Sequence, residues 1–283
     1  MLRGRGVMTC LKYDLKRLMC SLRFYLAIAL VLFVMWDYLM PVKRWAASVA
    51  HGVAPWLFPY LTNGLFTQMI IMCGLVFILC DAPFLDDAQP FIIIRSGREA
   101  WCVGQLLYIL VTSLLYTCAI AIGSTLLLIP NLELNLSWGK VINTLAMGQV
   151  ELDSFLNFSP DILVSFTPVA ATALSVFYCW LGCSCLGVIQ FFFNLGGNRM
   201  IGNVVAGALV LQDLFSMVIL PIGSEYFSLV SLTRFGILLS DLAFGNPGNM
   251  IYSAVFLTML ALLFALLSLL RTRKMSVSTS PAI

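Results

Sequence analysis

Few residues in this sequence have the types and spacing that chemistry requires. The chain contains one histidine, His51, so it cannot build the two-histidine HExxH zinc site of a metalloprotease. Three cysteines lie close together at Cys179, Cys183 and Cys185, but no histidine accompanies them and no second cysteine pair lies nearby. Because cysteine also packs as a small apolar residue, we expect these three to pack within a helix and expect no metal site.

Catalytic side chains for hydrolysis are equally scarce. The stretch GCSCLG at 182–187 has the first glycine and the serine of a GxSxG motif but lacks the spaced second glycine. An aspartyl protease needs two facing aspartates. Here only Asp213 lies deep in an apolar stretch, and Asp37 lies near the end of another. The sequence therefore disfavours an enzyme, and an intramembrane enzyme that depends on Asp213 is kept only as a hypothesis.

The composition indicates the environment in which the chain folds. Of 283 residues, 61% are hydrophobic and only 10% are charged, whereas a soluble domain carries roughly 25% charged residues. The mean hydropathy of +0.98 agrees with this difference. The net charge of +3 is too small to indicate a nucleic-acid partner. We predict an all-α integral membrane protein that forms a single transmembrane domain over residues 1–283.

Six apolar stretches are long enough to cross a bilayer, whose hydrocarbon core of about 30 Å needs about 20 helical residues. The predicted spans lie near residues 22–40, 59–80, 101–129, 168–193, 201–221 and 250–270. The loop lengths of the two halves do not match, which argues against the internal repeats of secondary transporters. The chain also lacks the P-loop motif GxxxxGK[ST], so a transporter built on it would need its ATPase in another chain.

Asp213 needs an explanation within the fifth span, because a charged side chain at the bilayer centre costs about 2.5–3.5 kcal/mol on insertion scales. Either Asp213 faces a cavity or a partner subunit and contacts substrate, or it is paired or protonated within the bundle. Together with Gln212 it is our candidate for a substrate path. We expect Gln212, Gln190 and Asn194 to form helix–helix hydrogen bonds more readily than to bind a ligand.

Lysine and arginine predict the orientation of these spans. If both termini are cytoplasmic, the inner flanks hold all but four of the 16 basic residues. The four on the outer side are Lys43, Arg44, Lys140 and Arg234. We therefore predict a multi-pass protein of the plasma membrane without a cleavable signal at its start. The cysteines lie within spans, at their ends or on inner flanks, so no disulfide framework is expected.

The segment before the first span, residues 7–21, has helical periodicity. One predicted face is apolar and comprises Val7, Met8, Leu11, Leu15, Leu18 and Leu22. The opposite face carries Lys12, Tyr13, Lys16 and Arg17. This pattern favours a helix in the membrane interface with its basic residues toward lipid headgroups, and the alternative is a simple extension of the first span.

Two long segments are predicted on the outer side, at residues 130–167 and 222–249. The second is too apolar for a free loop. We expect it to form short helices that dip into the outer leaflet, before the Gly-Asn-Pro-Gly turn at 245–248.

The inner segment 81–100 combines acids, arginines and an apolar run. Pro83 ends the preceding helix, and an aspartate can cap a new short helix that Gly97 ends. A solvated linker would not contain Phe-Ile-Ile-Ile, and a membrane span would not contain the acids. We predict a short amphipathic element that docks a cytoplasmic protein; the alternative is that it lies on the inner membrane surface. The residues predicted to dock the partner are Asp86, Asp87, Phe91, Arg95 and Arg98.

These features together resemble an ABC-2 type transporter permease with a type V exporter-like fold. The resemblance rests on the topology, the N-terminal helix, the apolar segment before the last span and the loop DAPFLDDAQPFIIIRSGREAW followed by GQLLYI at 104–109. It implies that two permease subunits, identical or related, form the pathway. It further implies that each docks an ABC ATPase subunit, which binds ATP and Mg²⁺, so that no cofactor is expected in this chain. Exported peptides, drugs or lipid-like molecules are the implied substrates.

A different class of function stays open. The chain can instead be a non-transporting immunity or scaffold protein of the membrane that binds a peptide through its outer segments. The two hypotheses differ in whether ATP hydrolysis is required.

Overall fold

The computed structural model describes residues 2–82, 91, 93–94, 97–150, 156–196, 199–218, 224–239 and 248–274. Eleven α-helices lie within these ranges: α1 Leu2–Cys20, α2 Leu22–Ser48, α3 Phe58–Asn63, α4 Leu65–Ile78, α5 Arg98–Leu126, α6 Gly139–Ala146, α7 Pro160–Ser165, α8 Pro168–Asn194, α9 Arg199–Val218, α10 Phe235–Leu238 and α11 Gly248–Lys274. Extended pairing among these residues is confined to one isolated bridge between Val53 and Leu132. The prediction of an all-α protein is confirmed for the described part of the chain.

Among the described residues, four helices are long and apolar enough to cross a membrane, which indicates a membrane protein. They are Leu22–Ser48, Arg98–Leu126, Pro168–Asn194 and Asn249–Arg273. Two further apolar helices, Leu65–Ile78 and Met200–Ser216, are shorter. These six helices coincide with the six predicted stretches, but a count of six spans stays a prediction.

Helix α8 lies at the centre of the bundle, where it packs against α4, α5, α9 and α11. It is the most buried of the four long helices. Glycines permit its close contacts: a Cβ atom at Gly187 would lie 2.7 Å from Ile109 Cγ2 and 2.8 Å from Leu79 Cδ1. Small residues at helix contacts are typical of apolar bundles, in which van der Waals packing drives association.

The N-terminal helix α1 packs along α5. A Cβ atom at Gly104 would lie 2.8 Å from the Cβ of Cys10, so the two helices approach closely. Asp14 lies buried in this contact and accepts a hydrogen bond of 2.7 Å from Gln105 Nε2.

The predicted apolar face of α1 is only partly the buried one. Leu11, Leu15 and Leu18 pack against the core, whereas Met8 and Leu22 are exposed. The buried face is rotated toward Asp14 because α5 supplies a polar partner there. The interfacial position of this helix stays a prediction.

Two predicted helix limits differ from the structure. The stretch 59–80 consists of two helices, because the chain is extended at Gly64 (φ −68°, ψ 129°). The first helix continues past its predicted limit at residue 40, through Pro41 to Ser48. The added turns are held by Lys43, whose Nζ donates to the Leu127 and Ile129 carbonyls at 2.8 and 3.0 Å.

The segment before α11 enters the bundle. It contains two 3-10 helices, Ser224–Phe227 and Ser231–Thr233, followed by α10. We call residues 224–239 the wedge. Residues 228–233 are fully buried, and a Cβ atom at Gly182, midway along α8, would lie 2.5 Å from Thr233 Cγ2. The short helices expected in this segment are confirmed; Ser231–Thr233 is buried, whereas Tyr226 and Phe227 are exposed. The expected position in the outer leaflet stays a prediction.

Candidate functional site

Two polar clusters carry the residues that the sequence singles out. The first holds the ends of the predicted docking segment 81–100, where α4 ends and α5 begins; we call this side the loop end. The second surrounds Asp213 where the wedge meets α3, α4 and α9; we call it the recess.

At the loop end, the chain leaving α4 is tied to three helices. Asp81 pairs with Arg23 at the start of α2. Asn194 of α8 donates to the Ala82 carbonyl at 2.6 Å, and Asn203 of α9 donates to the Cys80 carbonyl at 3.2 Å. The start of the docking segment is therefore fixed relative to α2, α8 and α9.

The far end of the docking segment is tied to α11. Glu99, in the first turn of α5, pairs with Arg273 through an Nε–Oε1 distance of 3.0 Å. Arg98 donates to the Arg273 carbonyl at 3.4 Å, and Trp101 is buried beside Phe191 of α8. A displacement of this segment would therefore act directly on α5 and α11.

Between these anchors, the described residues expose apolar side chains. Phe91 and Ile94 are 74% and 72% exposed, whereas Ile93 between them is buried. The segment thus has one apolar residue on the bundle and two directed away from it. Of the predicted docking residues, Phe91 and Arg98 are described and exposed; Asp86, Asp87 and Arg95 lie outside the described residues.

Asp213 lies in the recess, where its side chain is almost fully buried. Ser231 of the wedge donates a hydrogen bond to Oδ1. Oδ2 lies 3.7 Å from a terminal nitrogen of Arg234. The Asp213 carboxylate is therefore paired within the bundle, and its place on a substrate path stays a prediction.

Arg234 also joins the recess to the break between α3 and α4. Its Nε donates to the Asn63 carbonyl at 3.0 Å, and the Asn63 side chain accepts from the Gly236 backbone at 2.7 Å. Gln68, one turn beyond the break, donates to Thr233 Oγ1 at 2.8 Å. The Asn63 carbonyl, which the helix break at Gly64 leaves free, is therefore satisfied by Arg234 of the wedge.

Gln212, the neighbour of Asp213, faces a different environment. It lies in a hollow of about 500 Å³ on the outer face of α9. The residues lining this hollow are Val205, Ala208, Leu209, Leu211, Gln212 and Phe215. The Asp213 side chain therefore points into the recess, whereas Gln212 lines this separate hollow.

Two other polar residues behave as the sequence suggests. Gln190 donates to Asn203 Oδ1 on α9 at 2.8 Å and to the Val76 carbonyl on α4 at 3.1 Å, which confirms its expected helix–helix role. Cys183 is fully buried in α8 together with Cys179 and Cys185, and all nine cysteines are free.

The sequence missed the partners of Asp213. Arg234 was counted among the outer basic residues, and Asn63 and Gln68 drew no attention. One signal was available: Arg234 is a lone cation in an apolar segment of a chain whose fifth span carries a lone acid. Intramembrane charges usually pair with one another, so the two could have been matched.

No protein-family model matches this chain, and comparison with curated proteins and with solved structures finds no significant match. Over the part of the chain that the structure describes, the fold defines an all-helical membrane protein with four helices long and apolar enough to cross a membrane. Any narrower statement of function rests on the geometry of the loop end and the recess.

Proposed function

We propose that the chain is the permease subunit of an ABC transporter of the ABC-2 type, which exports a peptide, drug or lipid-like substrate. It would cross the plasma membrane six times with both termini in the cytoplasm. ATP and Mg²⁺ would bind to a separate ABC ATPase subunit, so this chain would not itself be an enzyme. A second copy or a related permease would complete the pathway.

The observation that carries the proposal is the exposed pair Phe91 and Ile94 on a segment anchored at both ends. Two large apolar side chains at this exposure are suited to a protein contact, since burying each would contribute about 1.5–3 kcal/mol. Arg98, also exposed, adds a cation beside them. Force applied at this point would reach α2 through Arg23 and α11 through Arg273.

Helix α1 would move with α5 during such a displacement. The buried hydrogen bond between Asp14 and Gln105 and the close contact of Cys10 with Gly104 join the two helices. The exposed basic residues Lys12 and Lys16 of α1 would then lie at the lipid headgroups.

For the substrate path, the proposal favours the outer face of α9. Gln212 lies in a hollow whose other lining residues are all apolar. An amide in this setting gains most from a partner across a subunit contact. A second permease subunit placed on this face would put Gln212 at the interface between the subunits.

Co-purification tests the proposal. We expect the chain to purify from its native membrane with a P-loop ATPase, and a chain that is stable alone and has no ATPase among its genomic neighbours would contradict the proposal. The double substitution Arg95→Glu with Arg98→Glu is expected to weaken that association at least about tenfold, the effect of 1.4 kcal/mol.

The matched control for this double variant is Lys12→Glu with Lys16→Glu. It removes the same number of positive charges from the same predicted side, at exposed positions on α1. Both variants are first checked for unchanged membrane topology. Equal loss of the ATPase in the two variants would show a general charge effect and would exclude a docking role for the loop.

A second candidate function is the non-transporting immunity or scaffold protein. It is favoured by Leu134 and Leu136, which are highly exposed in the segment joining α5 to α6 and could bind an apolar peptide. Removing the Walker lysine of the partner ATPase would leave the cellular phenotype intact under this alternative and abolish it under the transport proposal. The double substitution Leu134→Ser with Leu136→Ser would abolish the phenotype under this alternative and leave it intact under the transport proposal.

A further inference from the structure

The wedge fills a recess with polar walls, although the surrounding bundle is apolar. Asn63 at the end of α3, Gln68 on α4 and Asp213 on α9 all point toward the wedge. These three residues are almost fully buried. An apolar insert would leave a buried carboxylate and two buried amides without partners, at a cost of several kcal/mol.

Arg234 occupies this recess in the manner of a bound ligand. Its guanidinium donates through Nε to the Asn63 carbonyl at 3.0 Å and places a terminal nitrogen 3.7 Å from Asp213 Oδ2. The Asn63 carbonyl and the Asp213 carboxylate come from different helices, and the planar guanidinium is hydrogen-bonded to the first and ion-paired with the second. A lysine ammonium carries all of its N–H donors on one nitrogen, so it lacks the second nitrogen that the planar guanidinium places to one side.

The recess also retains acceptor capacity that the wedge does not use. Within the described residues, Gln68 Oε1 and Asp213 Oδ2 are buried and have no hydrogen-bond partner. Buried polar oxygens without a hydrogen-bond partner are unusual in a folded protein. A guanidinium has five N–H donors, which suits a site with surplus acceptors.

We infer that the recess is a guanidinium-binding site whose built-in occupant is Arg234. A molecule that carries a free guanidinium group, such as an arginine side chain, can take the site only when Arg234 leaves it. This inference concerns the recess alone and does not depend on the proposed transport function.

Chemical rescue of Arg234→Ala tests the inference. The substitution leaves Asp213 buried without its cation, and we expect the melting temperature of the purified protein to fall by at least about 5 °C. Millimolar methylguanidinium is expected to restore most of that loss saturably, whereas equal concentrations of methylammonium or sodium chloride are not. Arg44→Ala, at an exposed arginine, is the matched control and should show neither the loss nor the rescue.

The double variant Asp213→Asn with Arg234→Ala removes the charge that would hold the added guanidinium. Methylguanidinium is therefore not expected to raise the melting temperature of this double variant. Rescue of equal size in the double variant, or equal stabilisation by methylammonium, would overturn the inference.

A variant that retains a cation covers the case in which Arg234→Ala does not fold. Arg234→Lys keeps the charge near Asp213 but removes the Nε donor to Asn63. We expect it to fold with a lower melting temperature than the native chain. A lysine variant as stable as the native chain would show that guanidinium geometry is not required and would overturn the inference.

Discussion

The loop end and the recess are both polar clusters, but they hold their elements in opposite ways. At the loop end, the side chains of Arg273 and Glu99 are 61% and 39% exposed. In the recess, the side chains of Arg234 and Asp213 are 16% and 3% exposed. The same type of ion pair is therefore solvated at one site and almost dry at the other.

This difference sets how much each site resists change. Exposed ion pairs contribute roughly 0–1 kcal/mol and are screened by salt, so they can separate and form again at little cost. Removing one partner of a buried pair costs about 3–5 kcal/mol, because the other charge stays buried alone. We conclude that the loop end is suited to movement under an external force and that the recess is suited to holding its segments fixed.

The largest effect is expected from Asp213→Ala. It removes the Asp213 carboxylate that pairs with Arg234 and accepts a hydrogen bond from Ser231. We expect the free energy of unfolding, measured by denaturant titration in detergent, to fall by about 3 kcal/mol. Gln212→Ala, one residue away on the outer face of α9, is the control and should change it by less than about 0.5 kcal/mol. Similar losses in the two variants would remove the distinction between the recess and an ordinary helix face.

A smaller loss is expected from Gly182→Ala, where α8 contacts the wedge. The added Cβ would lie 2.5 Å from Thr233 Cγ2 and 2.8 Å from Met72 Cε. Overpacking of this kind costs about 1–3 kcal/mol. Gly207→Ala in α9 adds the same methyl group where no atom lies within 4 Å, and it should stabilise the helix by up to about 1 kcal/mol. If both alanines stabilise the protein, the wedge does not pack tightly on α8.

The smallest effect is expected at the loop end. Arg273→Gln removes the ion pair with Glu99, and we expect the free energy of unfolding to change by less than about 0.5 kcal/mol. Any loss should also shrink as salt concentration rises, since both side chains face solvent. A loss comparable to that of Asp213→Ala would contradict the view that the two clusters differ in strength.

The apolar helices were predictable from the sequence, because hydrophobic runs longer than about 18 residues have few alternatives. The break at Gly64 was not predicted, since Phe58 to Ile78 is predominantly apolar and periodicity does not locate an extended residue. The buried face of α1 was missed for a related reason: Asp14 can face α5 only because Gln105 is there. Local patterns do not reveal a partner that comes from a distant part of the chain.

The same difference between contiguous and distant residues separates the two parts of the candidate site. The docking segment could be proposed from the sequence because its acids, proline and apolar run are contiguous, and its docking role stays a prediction. The recess could not, because its carboxylate, its guanidinium and its carbonyl come from α9, the wedge and α3. Only the pairing of a lone acid with a lone arginine could have indicated it.

The central proposal is that the docking segment 81–100 binds a P-loop ATPase. The most direct measurement is site-specific photocrosslinking in native membranes, with a photoreactive amino acid at Phe91 and, as the control, at Leu136. Both side chains are highly exposed, but the proposed topology puts them on opposite sides of the membrane. We predict an adduct with a Walker-motif ATPase from position 91 and none from position 136. The absence of this adduct at position 91, or its formation at both positions, would contradict the account.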